Sequence, residues 1–151
     1  MTANSGIITV AQNGNMQSAL DNTGTVDNAG LYNGAVNSNT GTITNQILGS
    51  WIGDVVSNAG TIENNNVWTG SVQSNTGTID NKDPSGDWRG DVVSNAGTIT
   101  NAGIWDGDVQ ANTGTITNTT GWAGNVVTNA ASVRSTIAVT GWAMSSGVTA
   151  L

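Results

Sequence analysis

Apolar and polar residues alternate along this chain in short bursts that return almost unchanged. Residues 51–64 read Trp-Ile-Gly-Asp-Val-Val-Ser-Asn-Ala-Gly-Thr-Ile-Glu-Asn, and residues 68–81, 88–101 and 105–118 repeat them with few changes. Residues 122–135 are a decaying copy, residues 32–45 carry Tyr32 in place of Trp, and residues 15–28 keep Asn22, Gly24 and Val26. Unit starts therefore fall at 15, 32, 51, 68, 88, 105, 122 and 142, in steps of 17 to 20 residues. Numbering the unit from its Trp, the recurrent residues are Trp at position 1, Gly at 3, Val at 5, Ser at 7, Asn at 8, Gly at 10, Ile at 12 and Asn at 14.

Positions 1, 3, 5 and 7 share one parity and positions 10, 12 and 14 the other. A period of two is the strand signature, and the phase change at position 8 marks a turn. Asn there tolerates left-handed backbone better than most residues. All variation in length falls between position 14 and the next Trp, at residues 46–50 and at residues 82–87 with the only proline, Pro84. Insertions held to one corner are what stacked coils allow, since an insertion elsewhere would break the register. An antiparallel meander is the alternative, but it needs hairpin turns at both ends of every unit, and Asn-Gly occurs only at 13–14 and 33–34. The pattern predicts an all-β fold: a single right-handed parallel β-solenoid (a β-helix), the hand following from the crossover rule. It has 17–20 residues per coil and about seven to eight coils. One domain covers residues 1–151, with regular coils over 15–135 and irregular terminal coils over 1–14 and 136–151.

Stacking places like residues ~4.8 Å apart, which sorts the repeat into ladders. Val36, Val55, Val72, Val92, Val109 and Val126 form one inward column, and Ile43, Ile62, Ile79, Ile99, Ile116 and Val133 a second. Burying one Trp removes ~200 Å² from water, at most about 5 kcal/mol. That favours a core column of Trp51, Trp68, Trp88, Trp105 and Trp122 over the alternative, an exposed ladder on which sugars stack. Gly at position 3 leaves lumen space for the indole. Asn39, Asn58, Asn75, Asn95, Asn112 and Asn129 stack at one turn, and Asn45, Asn64, Asn81, Asn101 and Asn118 at another. Their amides can hydrogen-bond along the rod as in cross-β ladders.

Composition explains why such ladders are needed. Hydrophobic content of 36% is low for a globular domain, and the chain has 21 Gly and no Phe. Disorder is the usual reading of so polar a chain, but disordered chains are rich in charge and Pro, whereas only 9% of these residues are charged. A net charge of −7 with only Lys82, Arg89 and Arg134 as cations excludes a phosphate-tracking nucleic-acid surface. No apolar run reaches the ~20 residues of a membrane span. The start, Met1 to Gly6, lacks the basic and apolar regions of a signal peptide. The chain therefore reads as a cytoplasmic or phage product, or as a piece of a secreted protein.

With no His and no Cys there is no Ser-His or Cys-His nucleophile, no thiolate metal site and no imidazole base. Only carboxylates remain. Asp54, Asp91 and Asp108 share the outward position 4, but they recur because the unit recurs, and Ser71 and Asn125 replace them elsewhere. An active site is normally unique, so no catalysis and no cofactor is expected. Asp91 and Asp108 should lie about 5 Å apart, repelling by ~0.8 kcal/mol in water. A Ca²⁺ ion would relieve this; a solvated acidic face is the simpler reading. Thr42, Thr61, Thr78, Thr98 and Thr115, with Thr44, Thr100 and Thr117 two residues on, make an outward Thr surface of the kind that orders water on ice, but Glu63 and Asp80 interrupt it.

The unit Trp-x-Gly-[Asp/Asn/Ser]-Val-x-Ser-Asn-x-Gly-Thr-Ile-x-Asn, over residues 15–135, resembles the passenger repeats of bacterial autotransporter and haemagglutinin-like surface proteins. The resemblance implies a right-handed solenoid stalk at the bacterial cell surface that holds an adhesive or enzymatic tip away from the outer membrane. Trp-x-Gly-Asp-Val also resembles the Val-x-Gly-Asp-Ile of bactofilins, which implies the alternative of a cytoplasmic self-assembling filament. Neither resemblance supplies a binding residue. Self-association is expected end to end or edge to edge, because Gly6 to Val10 and Ser135 to Gly141 are uncharged strand sequences and exposed edges recruit other chains.

Overall fold

The computed structural model describes residues 2–82, 84–131, 133–135 and 148–150, the last of these as backbone. It is a parallel β-solenoid of about eight turns, and the described residues contain no helix. Each full turn contributes one strand to each of three walls. The Val wall has eight strands, from Thr2–Asn4 through Val36–Asn39 and Val92–Asn95 to Val126–Asn129. The Ile wall has nine, from Ile7–Val10 to Val133–Ser135 and Val148–Ala150. The Trp wall has six two-residue strands, from Asn15–Met16 to Ile104–Trp105, and a single bridge joins Trp105 to Trp122. Eight turns at ordinary strand spacing make a rod of about 40 Å.

Registers follow the sequence ladders. Val55 pairs with Val72, Ile62 with Ile79, and Trp68 with Trp88, each one coil apart and parallel. The Val and Ile columns and the Trp column from Trp51 to Trp105 are fully buried, and Trp122 is nearly so. The rings from Tyr32 to Trp122 form one continuous stack, with centroids 3.9–4.9 Å apart and planes within 2–11°. Parallel-offset stacking satisfies the aromatic quadrupoles while filling the lumen. The Trp column is therefore the core of the rod and offers no exposed platform for a sugar.

Three local expectations are corrected. The phase change comes one residue early: position 7 faces outward, with Ser57 and Ser74 half-exposed and Ser94 exposed, while Val at 5 and Asn at 8 both point in. A four-residue wall turns inward at each end, so strict alternation survives only in the Ile wall. The turn at position 8 also needs no left-handed residue, since among the described non-glycine residues only Asn13 has positive φ, at 66°. Finally, the first complete Trp-wall strand places Met16, not Asn15, beside Tyr32. That unit is one residue short, and a register irregularity between Leu20 and Asp21 absorbs the deficit.

The terminal coil at the N-terminus is more regular than expected. Ala3 pairs with Asp21 and Ile8 with Val26, so residues 2–10 join two walls in register. Trp142 and the segment 136–147 lie outside the described residues.

Glycine at position 3 does a different job from the one read in the sequence. A Cβ on Gly53, Gly70, Gly90, Gly107 or Gly124 would sit 1.7–2.0 Å from the carbonyl oxygen of the preceding coil's equivalent glycine. The position is empty because two backbones meet there, not to make space for the indole. The same holds at position 10, where Gly77 and Gly97 approach the previous glycine's oxygen to 2.1 Å.

Candidate functional site

The residues with hydrogen-bonding or charge chemistry fall into an interior set and a surface set, and position in the repeat decides which. Inside, two asparagine ladders run along the corners. In the first, each Nδ2 donates to the Oδ1 of the next coil's Asn at 2.7–2.8 Å, from Asn4 to Asn129. Asn58, Asn75, Asn95 and Asn112 are its centre. The second runs from Asn28 to Asn118 at 2.7–2.8 Å and ends on the Ser135 hydroxyl. The spare Nδ2 proton meets backbone oxygen, as from Asn81 to the Ile104 carbonyl at 2.9 Å. A buried amide left unpaired costs about 1–3 kcal/mol, and the ladders remove that cost for both amide groups in every coil. Every donor points toward the C-terminal end.

Four of the indoles are satisfied within their own coil. Trp51, Trp68, Trp88 and Trp105 each donate Nε1–H to the carbonyl of the glycine two residues on, at 2.6–2.7 Å. The position-3 glycine thus accepts the indole while lying against the next coil. Tyr32 ends the stack, and its hydroxyl donates to the Ser18 carbonyl at 2.9 Å.

Burial pushes the Tyr32 phenol up to about 12, because the phenolate would lose its water. The sign follows directly: the folded state favours the neutral phenol, so the contribution is complete below the ordinary value near 10. It is lost as pH rises from there through about 12. The melting temperature should fall over that interval, and Tyr32→Phe should remove this part of the fall. Tyr32 is the only tyrosine, so its ultraviolet titration reports the same event directly.

On the surface, the acidic column at position 4 is engaged with the backbone. Asp54 Oδ1 accepts the Ser71 N–H at 2.8 Å, Asp91 Oδ1 accepts the Asp108 N–H at 2.8 Å, and Asp108 Oδ1 accepts the Asn125 N–H at 2.7 Å. Ser71 Oγ accepts the Asp91 N–H at 3.3 Å. Each side chain caps the next coil's amide at a bend where the wall hydrogen bonds are interrupted. Asp91 and Asp108 are therefore not simply an opposed pair awaiting a cation: one oxygen of each is already committed to a charge-assisted bond. No group of three acidic residues placed to hold a metal occurs among the described residues. This capping role was missed in the sequence, although the interchange of Asp, Ser and Asn at position 4 was its signal, since all three are acceptors on short stems.

The Ile wall carries the threonine surface, and Thr42, Thr61, Thr78, Thr98 and Thr115 do share one column. Beside them, in the column two residues on, Lys82 reaches Glu63 at 3.1 Å and Asp80 at 3.8 Å. Burial raises the Asp80 carboxyl, against the lowering pull of Lys82 and with a further rise from Glu63. The ion-pair cluster interrupts the second threonine column, between Thr44 and Thr100, and leaves the first unbroken. A cleft of about 530 Å³ opens between the turns at 11–15, 29–31 and 48–50, lined by Gln12, Asn13, Leu31 and Leu48 among others. It brings together no nucleophile with a base and no paired carboxylates. Comparison with protein-family models, with curated proteins and with solved structures gives no match for this chain.

Proposed function

We propose that the chain is a structural, non-catalytic scaffold, a stalk segment of a bacterial surface protein of the autotransporter or haemagglutinin-like kind. The observation that supports this reading is where the repeat directs its chemistry. The recurrent Trp, Val, Ile and Asn lie inside the rod, and the recurrent outer acceptors at position 4 bond to the next coil. A sequence selected for such bonds serves length and rigidity, the properties a spacer needs. Identical coils add stability by nearest-neighbour contact, so the rod lengthens by repetition without redesign.

The test is a spacer experiment in cells. One, two or three tandem copies are placed between an outer-membrane anchor and a terminal epitope. The epitope should be displayed outside and should move outward by about 40 Å per copy, measured by energy transfer to a membrane dye. A chain that fails to reach the surface, and instead forms filaments in the cytoplasm, would replace this reading with the cytoskeletal one.

A further inference from the structure

The outer surface of the Val wall differs from the other two walls in charge. From the strand Val36–Asn39 to the strand Val126–Asn129, its outward positions 6 and 7 hold no charged residue. The Ile wall presents Asp27, Glu63 and Asp80 with Lys82 and Arg134 beside them, and the Trp wall and its bend present Asp54, Asp87, Asp91, Asp106 and Asp108 with Arg89, so both walls stay net acidic. On a rod of net charge −7, two copies repel through those walls and approach at least cost through this one.

The relief of this face is self-complementary. In the five coils from Val56 to Val127, position 6 reads Val56, Gln73, Val93, Gln110 and Val127, the same sequence from either end, and Asn37 in the coil before lies outside this run. The three valines are 49%, 41% and 48% exposed. An interface with two-fold symmetry must present one patch to its own copy. An axis lying along the strand Val92–Asn95 and passing Val93 sets Val56 against Val127 and Gln73 against Gln110. It sets Val93 against its own copy. Position 7 is small throughout, with Ser57, Ser74 and Ser94 beside the column, so the two walls can close to contact.

We propose that this face is a homodimer interface, with two rods packed Val wall to Val wall and antiparallel about Val93. Five strands of four residues cover roughly 300 Å² per copy at ordinary spacings, well under the ~800 Å² per partner of a standard interface. The dimer is accordingly weak and concentration-dependent. The acidic column at position 4 flanks the face on one side and meets its own image there, so screening by salt strengthens the pairing. The interface is separate from the stalk role.

Sedimentation equilibrium of the chain from micromolar to millimolar concentration, at low and high salt, tests this. The wild type should pass from monomer to dimer and stop, with tighter pairing at high salt. Val93→Lys should weaken it at least tenfold, because two ammonium groups meet at the axis. Thr98→Lys on the Ile wall should pair as the wild type does or better, since it lowers the net charge. The decisive sample is a mixture of Val93→Lys with Val93→Asp, each alone monomeric, which should recover a one-to-one heterodimer. Circular dichroism of each variant confirms that the exposed substitutions leave the solenoid intact. A wild type monomeric at millimolar concentration, equal loss in both Lys variants, or a mixture that stays monomeric overturns the proposal. Open-ended growth instead of a dimer would assign association to the strand edges.

Discussion

Gly90→Ala is expected to cost about 3 kcal/mol or more, an overpacking penalty at the top of its usual range, although alanine is the mildest substitution available. Its Cβ would lie 1.9 Å from the Gly70 carbonyl oxygen, and both atoms belong to backbone held by neighbouring coils. Relief requires the two coils to part, which also disturbs the Trp88 indole bonded to the Gly90 carbonyl at 2.6 Å. Gly6→Ala is the control, since nothing lies within 4 Å of its added carbon, and it should change stability by less than about 0.5 kcal/mol. Urea unfolding followed by tryptophan fluorescence measures both. Equal stability of the two variants would show that the coils part freely at this corner.

Trp88→Ala should be the largest single loss in the rod. Large-to-small changes at buried aromatics cost about 3–5 kcal/mol, and Trp88 stacks on both Trp68 and Trp105 at 4.9 Å. Each aromatic pair adds about 0.5–1.5 kcal/mol beyond area. A total near 5 kcal/mol is comparable with the whole stability of many domains. In a repeat protein the damage should also divide the molecule, because each coil touches only its neighbours. The expected result is two unfolding transitions where the wild type shows one, with the coils on either side of Trp88 melting separately. Ile52→Ala, at a side chain 45% exposed, should stay within about 0.5 kcal/mol. A single sharp transition in Trp88→Ala, displaced by no more than that of Ile52→Ala, would mean that the stack contributes little.

The regular coils and their core were legible because repetition makes register visible. Val55, Val72 and Val92 stand at one position of a unit whose length varies at one corner, and parallel stacking is the arrangement that keeps them adjacent. The asparagines were legible for a related reason: a polar residue recurring at a fixed place in an otherwise apolar parity has to find its partner in the next copy of itself. Candidate chemistry was harder to read. Asp91 and Asp108 looked like two charges in repulsion, because the sequence carries side-chain types and spacing but not the direction of a carboxylate. Whether such an oxygen faces a cation, water or an amide depends on the bend beneath it.

The sequence by itself determined the parallel solenoid, the Val, Ile, Trp and Asn columns and the corner that takes the inserts. Each of these follows from periodicity, which a one-dimensional string records completely. Only the tertiary structure decided that position 7 faces outward and that the indoles stack into one buried column from Tyr32 to Trp122. It also decided that Met16 takes the Trp position at the cost of an irregularity at Leu20, and that the glycines are dictated by backbone contact between coils. These depend on distances across the stack, between atoms about 17 to 20 residues apart in the chain, where a difference of an ångström separates a pocket for a side chain from a collision between main chains.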